Sequence, residues 1–162
     1  MTERPDFTTR AVRAGLESDP TTGAVVPPLH LTTNFTFEGF GRKRKYDYSR
    51  SGNPTRDLLG NALADLEEGA DAVITSSGMS AITLVGHLLP AGARIVAPHD
   101  CYGGTFRLFS AWQRRGELQV EFVKFADAAA LQAALTKPTA LVWIETPSNP
   151  LLRITDIAAL SA

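Results

Sequence analysis

Three short runs hold most of the residues equipped for chemistry, and each follows an apolar stretch: Ser76-Ser77-Gly78-Met79, His99-Asp100-Cys101-Tyr102-Gly103-Gly104 and Glu145-Thr146-Pro147-Ser148-Asn149-Pro150. In the first, Ala72-Val73-Ile74 gives way to small polar residues and then to helical spacing, the pattern of a strand, a tight turn and a helix start. The N–H groups of a first helical turn lack intrahelical acceptors and sit at the positive end of the helix dipole, so such a turn can hold a phosphate. Gly78 lets an anion approach the main chain closely. The run is neither Gly-x-Gly-x-x-Gly nor a Walker loop, so by itself it is an anion cup or an ordinary strand-to-helix turn.

The elements that must position these groups follow from periodicity. Residues Phe7 to Leu16 predict a short helix capped by Thr8 or Thr9, after which Gly23, Pro27 and Pro28 impose about thirty residues of extended chain. The aromatics Phe35, Phe37, Phe40, Tyr46 and Tyr48 argue against disorder and predict that this arm packs against something. Arg42-Lys43-Arg44-Lys45 reads as a solvated basic loop. After Asn53-Pro54-Thr55, the spacing of Leu58, Leu59, Ala62, Leu63 and Leu66 predicts an amphipathic helix closed by Gly69. Strands and helices then alternate: strand 72–76, helix 79–89, strand 94–98, helix 105–115, strand 119–124, helix 127–135, strand 139–145, and a last helix from Thr155 to Ala162. That is the order of βαβ units, hence an α/β fold with a mostly parallel sheet covered on both faces, in which Ala140-Leu141-Val142-Trp143-Ile144 is apolar enough to be central. Ligands of such sheets bind beyond the carboxyl ends of the strands, where all three runs fall. A phosphate cup, a ring able to stack and an amide or carboxylate beside a hydroxyl together indicate a planar phosphorylated cofactor.

With 162 residues, 44% of them hydrophobic and 20% charged, the chain can bury a core. A net charge of −1 provides no field for nucleic acid or an anionic membrane, and no apolar run approaches the ~20 residues that span a bilayer. The opening Met-Thr-Glu-Arg-Pro-Asp lacks a signal-peptide core, and one cysteine excludes an internal disulfide, so the expected location is cytoplasmic. Cys101 reads as a small buried residue rather than a nucleophile, and His30 and His87 lack the spacing of metal ligands, so no metal is expected.

Four motifs in order, Asp47-Tyr48-Ser49-Arg50-Ser51-Gly52-Asn53-Pro54-Thr55-Arg56, Ser77-Gly78-Met79-Ser80-Ala81, Asp100-Cys101-Tyr102-Gly103-Gly104-Thr105 and Glu145-Thr146-Pro147-Ser148-Asn149-Pro150, closely resemble the pyridoxal-phosphate enzymes of cysteine and methionine metabolism. The resemblance covers nearly the whole chain. It implies a large domain like that of aspartate aminotransferase, starting near residue 57, preceded by an arm (1–56) that reaches a neighbouring subunit of a homotetramer built from dimers with shared sites. It further implies pyridoxal 5'-phosphate as cofactor. The N–H groups of Gly78 and Met79, beside Ser77, would hold the phosphate, with Tyr48 and Arg50 reaching the partner's phosphate. Tyr102 would stack on the pyridine ring and help take a proton from the incoming amine, and Asn149 would face the phenolic oxygen. Asp47 and Arg107 would shape the pocket for the distal end of the substrate, although Arg107 reads equally well as a solvated helix residue.

The implied activity is γ-replacement or γ-elimination in trans-sulfuration: condensation of O-succinylhomoserine with cysteine, or alternatively cleavage of cystathionine. The family's Schiff-base lysine lies in a Ser-x-Thr-Lys segment, and none of Lys43, Lys45, Lys124 and Lys137 has that context. The family's partner for the pyridinium nitrogen and its arginine for the α-carboxylate belong to later parts of the pattern. The expectation is therefore the N-terminal part of a protein more than twice as long, with a lysine outside this chain. Two other classes compete. A nicotinamide-dependent oxidoreductase would need Gly-x-Gly-x-x-Gly, which the first run lacks. A noncatalytic interaction module would suit an unfinished sheet with exposed edges.

Overall fold

The computed structural model describes residues 4–17 and 19–161. Residues 1–3 of the expected arm and Ala162 of the last expected helix lie outside them. The chain divides into two compact units, Met1–Ile74 and Thr75–Ala162.

In the first unit, α1 (Phe7–Arg13) and α2 (Pro54–Leu66) are the regular elements. The cap of α1 is Asp6, not Thr8 or Thr9: Asp6 Oδ1 accepts from Thr9 N at 2.7 Å, the stronger acceptor one turn earlier. Arg4 and Arg10 tie the start of the chain to the end of α2, both donating to Asp65, at 2.7 and 3.2 Å from its carboxylate oxygens. Asn53 starts α2, accepting from Thr55 N at 2.9 Å, and Pro54 suits the first turn, where its missing N–H costs nothing. The helix ends at Leu66, and Glu68 rather than Gly69 takes the left-handed backbone (φ 55°) while Gly69 N donates to Ala64 O at 2.8 Å. The basic loop is solvated and locally neutralised: Arg44 pairs with Glu38 and Lys43 with Asp47, while Lys45 sits 5.1 Å over the Tyr46 ring.

The second unit holds α3 (Gly78–His87), β1 (Arg94–Pro98), α4 (Gly103–Arg114), β2 (Gln119–Val123), α5 (Ala128–Leu135), β3 (Leu141–Val142) and α6 (Ile157–Ser161). The sheet is parallel with order β2-β1-β3, Ile95 facing both Val120 and Leu141. Alternation along β1 splits the core between its faces. Ile95 and Ala97 pack with Phe109 and Trp112 of α4, and Val96 packs with Leu131 and Ala134 of α5, so helices cover both faces as βαβ connections require.

Two strand expectations change. Residues 72–76 run without a ladder, and Val73 is 74% exposed: a strand exists only through a neighbour, and none among the described residues pairs with this one. The strand expected over 139–145 shrinks to Leu141–Val142 and lies at an edge of the described sheet, with β1 in the centre. Its ladder bonds end at Trp143 N to Val96 O, 2.8 Å, because the chain beyond is committed to side-chain contacts with α4.

The α3–α4 contact depends on Gly86, where a Cβ would lie 2.1 Å from Trp112 Cη2. Gly86→Ala should therefore destabilise the full-length protein by about 1–3 kcal/mol despite the better helix propensity of alanine. A chemical-denaturation midpoint that stays level or rises would contradict this packing.

Candidate active site

Helix α3 begins where Ser77, in extended backbone (φ −160°, ψ 158°), turns its hydroxyl back to accept from Ser80 N at 3.1 Å. Ser80 Oγ lies 2.9 Å from Ser77 Oγ, and Thr75 Oγ1 donates to Ser77 O at 2.9 Å, so the turn is held by its own small polar residues. The first helical bond runs from Ala81 N to Ser77 O at 3.1 Å. The N–H groups of Gly78 and Met79 thus meet no acceptor among the described residues. A Cβ on Gly78 would find nothing within 4 Å, so the space before these donors is open.

Tyr102 follows β1 and precedes α4, with φ −48° and ψ 136°, and its ring is half exposed. Gly104 brings it to the cup. A Cβ there would lie 2.4 Å from Tyr102 Cε1 and 2.7 Å from Met79 Sδ, so the ring and the Met79 side chain converge over the bare face of this glycine. Arg107, one turn into α4, is exposed and folds back toward the helix start, its Nη1 3.3 Å from where a Gly103 Cβ would stand. Among the described residues it has no ion-pair partner.

Glu145, just beyond β3, has no place among the expected site residues, yet it holds three of the groups around Tyr102. Its Oε2 accepts from Tyr102 N at 2.5 Å, and its Oε1 accepts from Thr105 Oγ1 at 2.6 Å and from Trp143 Nε1 at 3.0 Å. An acid just after an apolar strand and before a proline-rich loop was a visible signal, but two of its three partners, Tyr102 and Thr105, lie about forty residues back at the start of α4. Four residues on, Asn149 is exposed in the same loop. That loop is pinned by buried Ser148, whose N–H donates to Arg153 O at 2.9 Å and whose Oγ accepts from Arg153 N at 3.2 Å. Arg153 Nη1 also donates to Asp100 Oδ2 at 3.1 Å. Burial pushes the Asp100 carboxyl up, but hydrogen bonds from Ser148 and Arg153 outweigh it and hold the group below its ordinary value.

Cys101 is buried, and its thiol is pushed up to about 11, first by burial and then by the neighbouring Glu145 charge. It is inert by environment, as its sequence context suggested.

In the first unit Tyr48, Arg50 and Asp47 form their own group. Arg50 Cζ lies 5.1 Å over the Tyr48 ring, and Asp47 Oδ1 accepts from Tyr48 N at 2.7 Å. Their loop is tied from behind by two residues that carried no assigned role. Asn53 Nδ2 donates to Ser49 Oγ at 3.2 Å and to His30 O at 3.1 Å; Arg56 donates to Ser49 O at 2.9 Å and to Arg50 O at 3.3 Å. Tyr48 and Arg50 are consequently presented at the surface by a fixed main chain.

The start of α3, with two N–H donors that meet no acceptor among the described residues, lies beside the exposed Tyr102 ring that follows β1, and such a helix start has the chemistry to hold an anion. The chain belongs to the Cys/Met metabolism PLP-dependent enzyme family, whose model matches residues 8–162. It is 54% identical over 153 residues to cystathionine γ-synthase of Escherichia coli K12, covering 94% of this chain and 40% of that protein. It is 42% identical over 154 residues to cystathionine γ-lyase of Sus scrofa, covering 94% and 38%. Among solved structures, cystathionine γ-synthase from Xanthomonas oryzae pv. oryzae in complex with aminoacrylate and cysteine superposes with a TM-score of 0.89 at 54% identity, over 95% of this chain and 40% of that one. The chain spans about 40% of the length of these relatives. Among the described residues, no helix is long and apolar enough to cross a membrane.

The Cys101 environment sets an expectation for its chemistry. With a pKa of about 11, only about one thiol in a thousand is ionised at pH 8, so iodoacetamide should modify the native full-length protein slowly and the urea-unfolded protein at the rate of a free thiol. Equal rates at Cys101 in both states, resolved by peptide mass spectrometry, would contradict its burial.

Proposed function

We propose that this chain carries the phosphate-binding and ring-stacking half of a pyridoxal-phosphate site in an enzyme of sulfur amino-acid metabolism. Its preferred reaction is γ-replacement, in which O-succinylhomoserine and cysteine give cystathionine and succinate. The observation that carries the cofactor assignment is the pair of unclaimed N–H groups at Gly78 and Met79 opening beside the Tyr102 ring. Greater similarity to γ-synthases than to the γ-lyase favours replacement over cleavage. Cleavage of cystathionine to cysteine, 2-oxobutanoate and ammonia is the second reading, since both reactions call on the same residues.

When bound, the cofactor supplies an electron sink for amino-acid chemistry. Gly78 and Met79 hold its phosphate through their N–H groups, and the Ser77 cap keeps those donors aimed outward. Tyr102 would stack on the cofactor ring and help take a proton from the incoming amine, and Asn149 would face the cofactor's phenolic oxygen. Arg107, which has no ion-pair partner among the described residues, pairs with the succinyl carboxylate. Asp47 likewise serves the distal end of a substrate. Tyr48 and Arg50 serve the phosphate of a neighbouring subunit. The apolar side chains left exposed on the arm, among them Val26, Leu29, Leu31 and Phe40, support an arm (residues 1–56) that packs on another copy in a homotetramer, with 57–162 opening the cofactor-binding domain. One buried thiol fits a reducing compartment such as the cytoplasm.

Assay of the full-length protein should show cystathionine formed from O-succinylhomoserine and cysteine faster than 2-oxobutanoate is released from cystathionine. A faster release would select the second reading, and neither product would refute both. Gly78→Ala places a methyl in the mouth of the cup, and Arg50→Ala removes a charged donor. Each should weaken cofactor retention about tenfold or more, by equilibrium dialysis, with little change in unfolding midpoint. Unchanged retention would refute the assigned role.

A further inference from the structure

Tyr102 has a positioning problem that its own residue type does not solve. It is the residue before α4, where Ser, Thr, Asp or Asn would ordinarily fold a side-chain oxygen back onto the first-turn N–H groups, and its ring makes no such bond. A ring that must stack on a ligand cannot also cap its helix. Its φ and ψ lie outside the helical region, so the helix ladder does not hold its N–H either.

Glu145 supplies what is missing. One carboxylate oxygen takes the Tyr102 N–H at 2.5 Å, and the other takes the hydroxyl of fully buried Thr105 at 2.6 Å and the Trp143 indole N–H at 3.0 Å. Its negative charge stands at the N-terminal end of α4, where the dipole favours it. Charge-assisted bonds to main chain and buried hydroxyl are the short, strong class, and here they join α4 to the loop after β3. The remaining freedom of Tyr102 is its ring, and Gly104 and Met79 Sδ bound that.

We propose that Glu145 is the positioning residue for the cofactor ring: by accepting from Tyr102 N, Thr105 Oγ1 and Trp143 Nε1 it sets the stacking plane of Tyr102 relative to the phosphate cup and to the loop bearing Asn149. This rests on the pyridoxal-phosphate reading. Glu145 acts through Tyr102 and touches no reacting atom. Thr105 and Trp143 are part of the device because they consume the second oxygen and prevent the carboxylate from rotating away. A neutral amide cannot reproduce it, since Gln presents an acceptor on one side only, and its NH2 would face the donors on the other.

The test uses the full-length holoenzyme and its Glu145→Gln and Glu145→Asp variants, with three readouts besides turnover: the dissociation constant of pyridoxal phosphate, the induced circular dichroism of the bound cofactor band, and the unfolding midpoint of the apo form. For Glu145→Gln the dissociation constant should rise about ten- to a hundredfold, the worth of one charge-assisted hydrogen bond, and the induced dichroism should fall or invert. Glu145→Asp, which keeps the charge on a shorter stem, should recover part of both, and serves as the readout if the Gln variant fails to fold. Thr105→Val, which leaves the Tyr102 bond in place, should change the dichroism less than Glu145→Gln. Cofactor affinity and dichroism within twofold of wild type in both Glu145 variants would overturn the proposal, whatever the unfolding midpoint does. A wild-type protein with no cofactor band would overturn the pyridoxal-phosphate reading and this proposal with it.

Discussion

Two main-chain N–H groups that meet no acceptor among the described residues, those of Gly78 and Met79, are the constraint on which the rest of the proposed site depends. A helix cannot begin without orphaned donors, and this one begins in an open space at the rim of a parallel sheet. The Ser77 cap satisfies the donor at Ser80 and leaves the two outermost unspent. An anion placed there gains hydrogen bonds and the helix dipole together, at no cost in refolding.

Everything around the cup brings further groups to it and holds them still. The close approach of α3 and α4 requires Gly86, which lets the Trp112 ring lie against the α3 backbone, and Gly104, which lets Tyr102 and Met79 meet. Below them, Ile95, Ala97, Phe109 and Trp112 fix the face of the sheet on which both helices sit, with Phe109 stacked 5.7 Å from Trp112 and edge-on at 5.6 Å to Trp143. Buried polar groups are satisfied within this frame: Thr105 by Glu145, and Ser148 by Arg153 and Asp100. In the other unit, Asn53 and Arg56 do the same for the main chain of Ser49 and Arg50. In both units, then, side-chain hydrogen bonds tie the main chain near the exposed candidate groups.

Local signals in the sequence carried most of this. The α2 helix followed from its leucine spacing, β1 from a short apolar run, β2 from polar and apolar residues in alternation, and the start of α3 from small polar residues before helical spacing. Long-range pairing was less legible. Residues 72–76 have strand character, but whether they form a ladder depends on a neighbour that residue types do not name. Residues 140–144 are apolar throughout, which suggested a central strand, yet the next residue, Glu145, bonds Tyr102 N and Thr105 Oγ1, and the ladder stops short of it. Asp6 rather than a threonine caps α1 because the helix begins at Phe7, which puts Thr9 N at the third helical position within reach of the Asp6 carboxylate. Tyr102 was legible as a ring at a strand end, whereas the acid that holds it was not, because Tyr102 and Thr105 lie about forty residues before Glu145 and meet it only through the fold.

The measurement that tests the central claim most directly is a crystal structure of the full-length protein grown with pyridoxal phosphate. Phosphate oxygens should lie about 2.7–3.2 Å from the N atoms of Gly78 and Met79, with the pyridine ring stacked on Tyr102. A phosphate bound elsewhere, with these two N–H groups facing solvent, would contradict the account.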